Sequence, residues 1–289
     1  GTGKTLIQMT VERFSALCPM SNFWVVTGGK YVDLVKEQLP QLSADNILAE
    51  PAARNTAPCI AYACWKIKQK YPDANIVVTP SDALVLDVPE VRRAISAALD
   101  FTENDRRIVT IGIKPNRPET GYGYIEAGEC AAGEVLKVNS FREKPSLEVA
   151  RQYLEHGGYL WNAGIFVWKG KTIKSEMERH LPEVTGLFIG WEMALGSKIE
   201  KDFIAKAYTD CINISIDYGV MEKTDRAWIF PVKFGWSDIG TWESLYNYMP
   251  EKDDKGNAIG TDISLLEEAG NVLAISTNKK KLIAVKGLE

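Results

Sequence analysis

Up to Pro115, segments with one apolar helical face alternate with short and almost wholly apolar runs, and this alternation is the strongest constraint on the fold. Leu6, Met9, Thr10, Phe14 and Leu17 share a helical face, and "NFWVVTGG" then reads as a buried strand ending in a glycine turn. A helix from about Tyr31 to Leu39 follows, then the strand "NILAEP" and the helix "NTAPCIAYACWKIKQKY". Asn55 or Thr56 is expected to cap that helix, with Pro58 in its first turn. "NIVVTPSD" is apolar without a break, as in a parallel sheet covered on both faces. A helix from Val91 to Phe101 and the strand "RIVTIGI" continue the pattern. Such β-α-β repetition predicts an α/β fold built on a doubly wound sheet, with ligands beyond the carboxyl ends of its strands.

Beyond Pro115 the pattern changes. "TGYGYIEAGE" and "EVLKVNSFREKP" predict a hairpin, and "YLWNAGIFVWKG" predicts an aromatic-rich strand, so the expected sheet is mixed. Helices are expected from about Ile173 to Tyr208, and strands return with "AWIFPVKFGWSDIG". From Asn271, "NVLAISTNKKKLIAVKGLE" reads as two strands around a hairpin turn at Lys279, Lys280 and Lys281, forming a small C-terminal β unit. The expected division is an α/β domain over 1–250 and the start of a β extension over 251–289. The first helix has no strand before it, so a strand and its loop are expected upstream of Gly1, with a short stretch beyond Glu289.

Charge and cysteine usage narrow the function. With 34 basic against 38 acidic residues and no basic stripe, the chain does not read as a nucleic-acid binder. Cys18, Cys59, Cys64, Cys130 and Cys211 are scattered, which suits reduced thiols in a cytoplasmic protein better than a disulfide framework or a zinc site. His156 and His180 lie in polar helical stretches, which argues against histidine-dependent nucleophilic catalysis. No long apolar span suggests membrane insertion.

Several short motifs carry chemistry. Asp82 closes "NIVVTPSD", and Asp238 lies in "FGWSDIGTW", after an apolar run and before a helix. Two carboxylates from separate strands suit Mg²⁺ with a phosphate substrate, because Mg²⁺ keeps several waters and takes few protein ligands. Each could equally be a capping or turn residue. "FREKP" sets Glu143 and Lys144 at a strand end that Pro145 terminates. A lysine there can hold a phosphate, and a glutamate can accept from sugar hydroxyls. "EPAARNTAP" places Glu50, Arg54, Asn55 and Thr56 between a strand and a helix start; a carboxylate there could accept from guanine N1–H and its 2-amino group. "PETGYGYI" spaces Gly121 and Gly123 for close backbone approach. "WNAGIF" puts Asn162 in an apolar strand, where its amide needs partners. "SIDYGVMEK" adds Asp217 and Glu222 at a helix start, with capping the stronger reading of Asp217.

In this order, "EPAARNTAPCIA", "PSD", "PETGYGYI", "FREKP", "WNAGIF", "SIDYGVMEK" and "WSDIGTW" resemble the motif series of mannose-1-phosphate guanylyltransferases, within the sugar-nucleotide pyrophosphorylases. The resemblance covers about Thr5 to Glu289. It implies a Rossmann-like fold of the nucleotide-diphospho-sugar transferase type, and conversion of GTP and α-D-mannose 1-phosphate to GDP-mannose and diphosphate. It implies Mg²⁺ held by Asp82 and Asp238, and Lys144 steadying the attacking phosphate. Gly123, Glu143 and Asn162 would orient mannose, and Glu50, Asn55 and Thr56 would read guanine.

The opening "GTGKTLIQMT" carries the Gly3-Lys4-Thr5 of a P-loop, but in this series it resembles the stretch following a glycine-rich nucleotide signature, leading into the first helix. That signature is not among these residues, so its triphosphate grip is carried over to none of them. Ala83 stands where the series usually has histidine. A sibling enzyme using another sugar or nucleotide, a non-catalytic sugar-nucleotide sensor and a P-loop NTPase are the alternatives. A homodimer is compatible with the reading.

Overall fold

The computed structural model describes residues 3–103, 106–249 and 251–288. They form two compact units, one of Gly1–Ser81 and Val85–Trp236, the other of Asp82–Leu84 and Ser237–Glu289.

In the first unit the chain runs α1 (Leu6–Phe14), β1 (Val25–Gly28), α2 (Val32–Gln38), β2 (Ile47–Glu50), α3 (Thr56–Lys70) and β3 (Asn75–Val78). It continues with α4 (Val88–Thr102), β4 (Ile108–Ile113), β5 (Tyr124–Ala132), β6 (Val135–Arg142), α5 (Leu147–His156), β7 (Tyr159–Lys169), α6 (Gly170–His180), α7 (Glu200–Asp210) and β8 (Ala227–Val232). β1 and β2 pair in parallel. The remaining strands form a mixed sheet in the order β3-β7-β4-β8-β6-β5. Only β4 with β8 is parallel among its pairings; β7 runs antiparallel to β3, β4 and β5. The "NIVV" run that suggested a parallel strand is therefore paired antiparallel, with Ile76 opposite Trp168. Continuous hydrophobicity reports cover on both faces, not strand direction.

β7 shows why the sheet sits at the centre. Its residues alternate in direction, sending Phe166 and Trp168 into one core with Trp65, Phe188 and Tyr208, and Ile165 and Val167 into the other with Ile95, Ile111 and Phe230. Both faces are apolar, so both are covered. Gly164 interrupts β7 at φ +68°, where a Cβ would lie 3.2 Å from the Pro80 ring. That close approach accounts for the glycine in "WNAGIF".

In the second unit, α8 (Trp242–Tyr248) precedes β9 (Ala258–Gly260), β10 (Ile263–Ala269), β11 (Leu273–Ile275) and β12 (Leu282–Leu288). The expected hairpin around Lys279–Lys281 is not what forms. β11 pairs in parallel with β9, and β12 pairs in parallel with β10. The chain coils back onto its previous turn instead of folding on itself. Buried Asn257 holds the coil, donating to Asp253 Oδ2 (2.9 Å) and the Ala269 carbonyl (3.0 Å) and accepting from the Val272 amide (3.0 Å).

Candidate active site

A cluster of polar groups forms where β5, β6 and β7 come together in the first unit. Gly123 lies just before β5, and its carbonyl accepts from the Asn162 amide of β7 at 2.8 Å. A Cβ on Gly123 would run into the Glu143 carboxylate and lie 3.3 Å from the Asn162 Cβ. Gly123, Glu143 and Asn162, separated in sequence, are therefore neighbours.

Asn162 is committed to internal partners. Its Oδ1 accepts from Thr110 Oγ1 at 3.1 Å and from the Gly164 amide at 3.0 Å. Its Nδ2 donates to Asp217 Oδ1 at 2.9 Å. Asp217 opens a five-residue π-helical turn, Asp217–Met221, a geometry that recurs at functional sites. Glu222, just past that turn, accepts from the Glu143 amide at 2.8 Å. Glu143 Oε2 is buried with no hydrogen-bond partner in the protein. Burial, reinforced by Asp217 and Glu222 and opposed by Lys144, pushes the Glu143 carboxyl up to about 7. Burial also raises Asp217, against hydrogen bonds that hold it down.

Lys144 is exposed, with Nζ 4.0 Å from Glu143 Oε1. Its φ is +46°, a left-handed conformation that costs a non-glycine residue about 1–2 kcal/mol, and it precedes Pro145. Of the five described non-glycine residues with positive φ, Asn55 and Lys144 are candidate site residues and Ile239 follows one. Strain held at such places is a pointer to function.

A second group lies around the β2–α3 loop. Tyr208 donates its hydroxyl to Glu50 Oε1 at 2.9 Å. Burial raises the Glu50 carboxyl and that hydrogen bond opposes it. Asn55 caps α3 through Oδ1, which accepts from the Thr56 amide at 2.9 Å, and its backbone sits at φ 67° and ψ −168°, a region that only glycine occupies readily. Thr56 Oγ1 accepts from the Ile216 amide at 2.9 Å. The Arg54 carbonyl accepts from the Ile214 amide, and the Arg54 guanidinium donates to the carbonyls of Tyr208 and Thr209. The loop is thus fastened to the segment that ends at Asp217.

In the second unit, Asp82 is exposed and Asp238 half-buried. Asp238 Oδ1 accepts from the Gly240 amide at 3.1 Å. A Cβ on Gly240 would lie 3.0 Å from Oδ2, so this glycine keeps the carboxylate's surroundings open. Among the described residues, no cluster of three or more His, Cys, Asp or Glu side chains could hold a metal by itself. Asp82 and Asp238 belong to one unit, and carboxylates with phosphate oxygens and water are the donors that Mg²⁺ takes. They would not suit zinc, which wants nitrogen and sulfur donors.

Sequence reasoning took capping as the stronger reading of Asp217, named Glu222 beside it without a role, and passed over Tyr208. Only the pairing of Asn162 with Asp217 and of Glu50 with Tyr208 shows their place, and no local signal carried either. Among the described residues, all five cysteines are free thiols, and no helix is long and apolar enough to cross a membrane.

The sequence profile of the nucleotidyl transferase family matches residues 1–255. The chain is similar to mannose-1-phosphate guanylyltransferase of Sinorhizobium fredii, at 36% identity over 299 residues, covering 99% of this chain and 56% of that protein. It is similar to mannose-1-phosphate guanylyltransferase of Escherichia coli, at 33% identity over 295 residues, covering 98% of this chain and 62% of the other. The chain thus spans 56–62% of the length of these curated relatives. Among solved structures it resembles the mannose-1-phosphate geranyltransferase of Thermus thermophilus, with a TM-score of 0.84 and 28% identity over 99% of this chain and 81% of that one. By its sequence match, and by a mixed α/β sheet of the nucleotide-diphospho-sugar transferase type, this chain belongs to the nucleotidyl transferase family.

Proposed function

We propose that this protein is a mannose-1-phosphate guanylyltransferase, converting GTP and α-D-mannose 1-phosphate to GDP-mannose and diphosphate in the cytoplasm. The observation that carries the reading is the cluster of Gly123, Glu143, Asn162 and Asp217 beside Lys144. It combines a buried acceptor lacking a protein donor, a glycine that lets that carboxylate pack against the backbone, and a cation for a phosphate. The names of its relatives support the same substrates.

The reaction is a displacement. A phosphate oxygen of mannose 1-phosphate attacks the α-phosphorus of GTP, the bond to the β-phosphate oxygen breaks, and diphosphate leaves with its electrons. No residue needs to form a covalent intermediate, so the chain's work is positioning and charge neutralisation. Lys144 holds the attacking phosphate, and Glu143, packed against Gly123, accepts from mannose hydroxyls. Asn162 borders the same glycine. Glu50, oriented by Tyr208, accepts from the guanine edge, with Asn55 and Thr56 shaping the loop beneath the base. Asp82 and Asp238 would hold Mg²⁺, which would supply neutralisation of phosphate charge.

The test is diphosphate release by the full-length protein with each pairing of GTP or ATP with mannose 1-phosphate or glucose 1-phosphate. GTP with mannose 1-phosphate should be the preferred pair. Preference for another pair would reassign the substrates, and sugar binding without diphosphate release would indicate a sensor.

A further inference from the structure

We propose that Asp217 is a second sugar-reading carboxylate, accepting from a hydroxyl of the hexose 1-phosphate beside the one held by Glu143, and that Asn162 is the residue that positions it. This rests on the functional reading above and goes beyond it, because Asp217 belongs to a segment with an evident alternative job as a helix-start residue.

The geometry gives Asp217 more than a capping job. It bonds locally, to its own backbone amide and the Ser215 side chain, as a capping carboxylate does, but its Oδ1 also accepts from Asn162 Nδ2, 55 positions away in sequence. Asn162 cannot swing to serve another partner without cost. Thr110 Oγ1 and the Gly164 amide both fix its Oδ1, and its backbone is tied to Gly123. The amide is therefore a rigid bracket whose exposed product is the orientation of one carboxylate. Asn162 and the Glu143 carboxylate both border Gly123, which brings Asp217 near enough to raise the Glu143 carboxyl, with Lys144 opposing the rise at both acids. Two half-buried carboxylates held near each other are a poor arrangement for stability alone. Glu143 Oε2 is the oxygen without a protein partner; one pyranose hydroxyl would supply its donor, and the neighbouring hydroxyl would add a donor to Asp217 beside those from Asn162 and Ser215.

The Thr56 hydroxyl adds a further link. It accepts from the Ile216 amide, so the loop proposed to read guanine and the carboxylate proposed to read sugar are attached at adjacent residues.

The experiment compares the native protein, Asp217→Asn and Asn162→Ala, using mannose 1-phosphate and its 2-, 3-, 4- and 6-deoxy analogues. Asp217→Asn preserves shape, so folding can be verified by thermal melting in the same preparation. The native protein should lose at least about tenfold in kcat/KM for one deoxy analogue other than the one Glu143 reads, because a site built to bond a hydroxyl rejects its absence. Asp217→Asn should erase that discrimination while KM for GTP stays within about twofold. Asn162→Ala should weaken the same discrimination more than it changes KM for GTP, which a purely structural role would not do. Unchanged discrimination across all deoxy analogues in a folded Asp217→Asn variant would overturn this assignment and leave the functional reading intact. Failure of the native protein to turn over or bind any hexose 1-phosphate would overturn both.

Discussion

Asn162 Nδ2 donates to Asp217 Oδ1 at 2.9 Å, joining the middle of a central strand to the first residue of a π-helical turn. Through that bond the sheet sets the position of an acid that acts, with Glu222 and Lys144, on the Glu143 carboxyl. The cluster has consequences for stability as well as for binding.

Glu143 should make the protein less stable as pH rises. Its carboxyl titrates near 7 in the folded chain against an ordinary value of 4.5, so the folded state binds the extra proton between those two values. Glu143's contribution to the unfolding free energy should therefore be full below about 4.5 and be lost as pH rises through 7, by at most on the order of 3 kcal/mol. Glu143→Gln should flatten that slope, melting above the native protein at pH 8. The same variant should raise KM for mannose 1-phosphate. In the native protein, KM for the sugar should rise as pH falls below 7, because the protonated acid loses acceptor capacity. Thermal melts and initial rates across pH check both.

Tyr208→Phe should affect nucleotide choice. Removing the hydroxyl leaves the partly buried Glu50 carboxylate without the donor seen at 2.9 Å, at a stability cost of about 1–3 kcal/mol. The preference for GTP over ATP should fall by about fivefold or more, while KM for the sugar changes little. Lost stability with unchanged preference would mean that Glu50 does not read the base.

Lys144→Gly separates strain from function. Glycine removes a left-handed penalty of about 1–2 kcal/mol and adds about 0.5–1 kcal/mol of backbone entropy cost. The melting temperature should therefore hold or rise slightly. Turnover should drop by about a hundredfold, the scale set by loss of one charged contact to a reacting group. A variant with native turnover would show that the lysine only fills a turn.

Much of the first unit was legible. The helix at Thr56–Lys70, its Asn55 cap and the strand around Asn162 follow from local spacing, because caps and apolar periods are local physics. The C-terminal strands were found but their pairing was not, since a short polar turn between two apolar runs suits both a hairpin and a parallel coil. What separates them is register with residues 15 to 19 positions earlier, such as Ala258 with Leu273 and Ile263 with Leu282. Asp217 was hidden for a similar reason: an acid at the start of a helical turn reads as a cap until a distant amide is seen to claim it.

Asp238→Asn should lower kcat by about a hundredfold or more, with little change in melting temperature in the absence of metal. It should also raise the Mg²⁺ concentration needed for half-maximal rate. The readout is a Mg²⁺ titration of diphosphate release, and a native titration curve would remove Asp238 from the metal site.

The most direct measurement follows the oxygen that forms the new bond. Mannose 1-phosphate labelled with heavy oxygen on its phosphate should give GDP-mannose carrying label in the bridge between the two phosphorus atoms, visible by phosphorus NMR, with diphosphate unlabelled and formed in equal amount. Orthophosphate or unlabelled guanosine phosphates appearing at the same rate with or without the sugar phosphate would contradict the account.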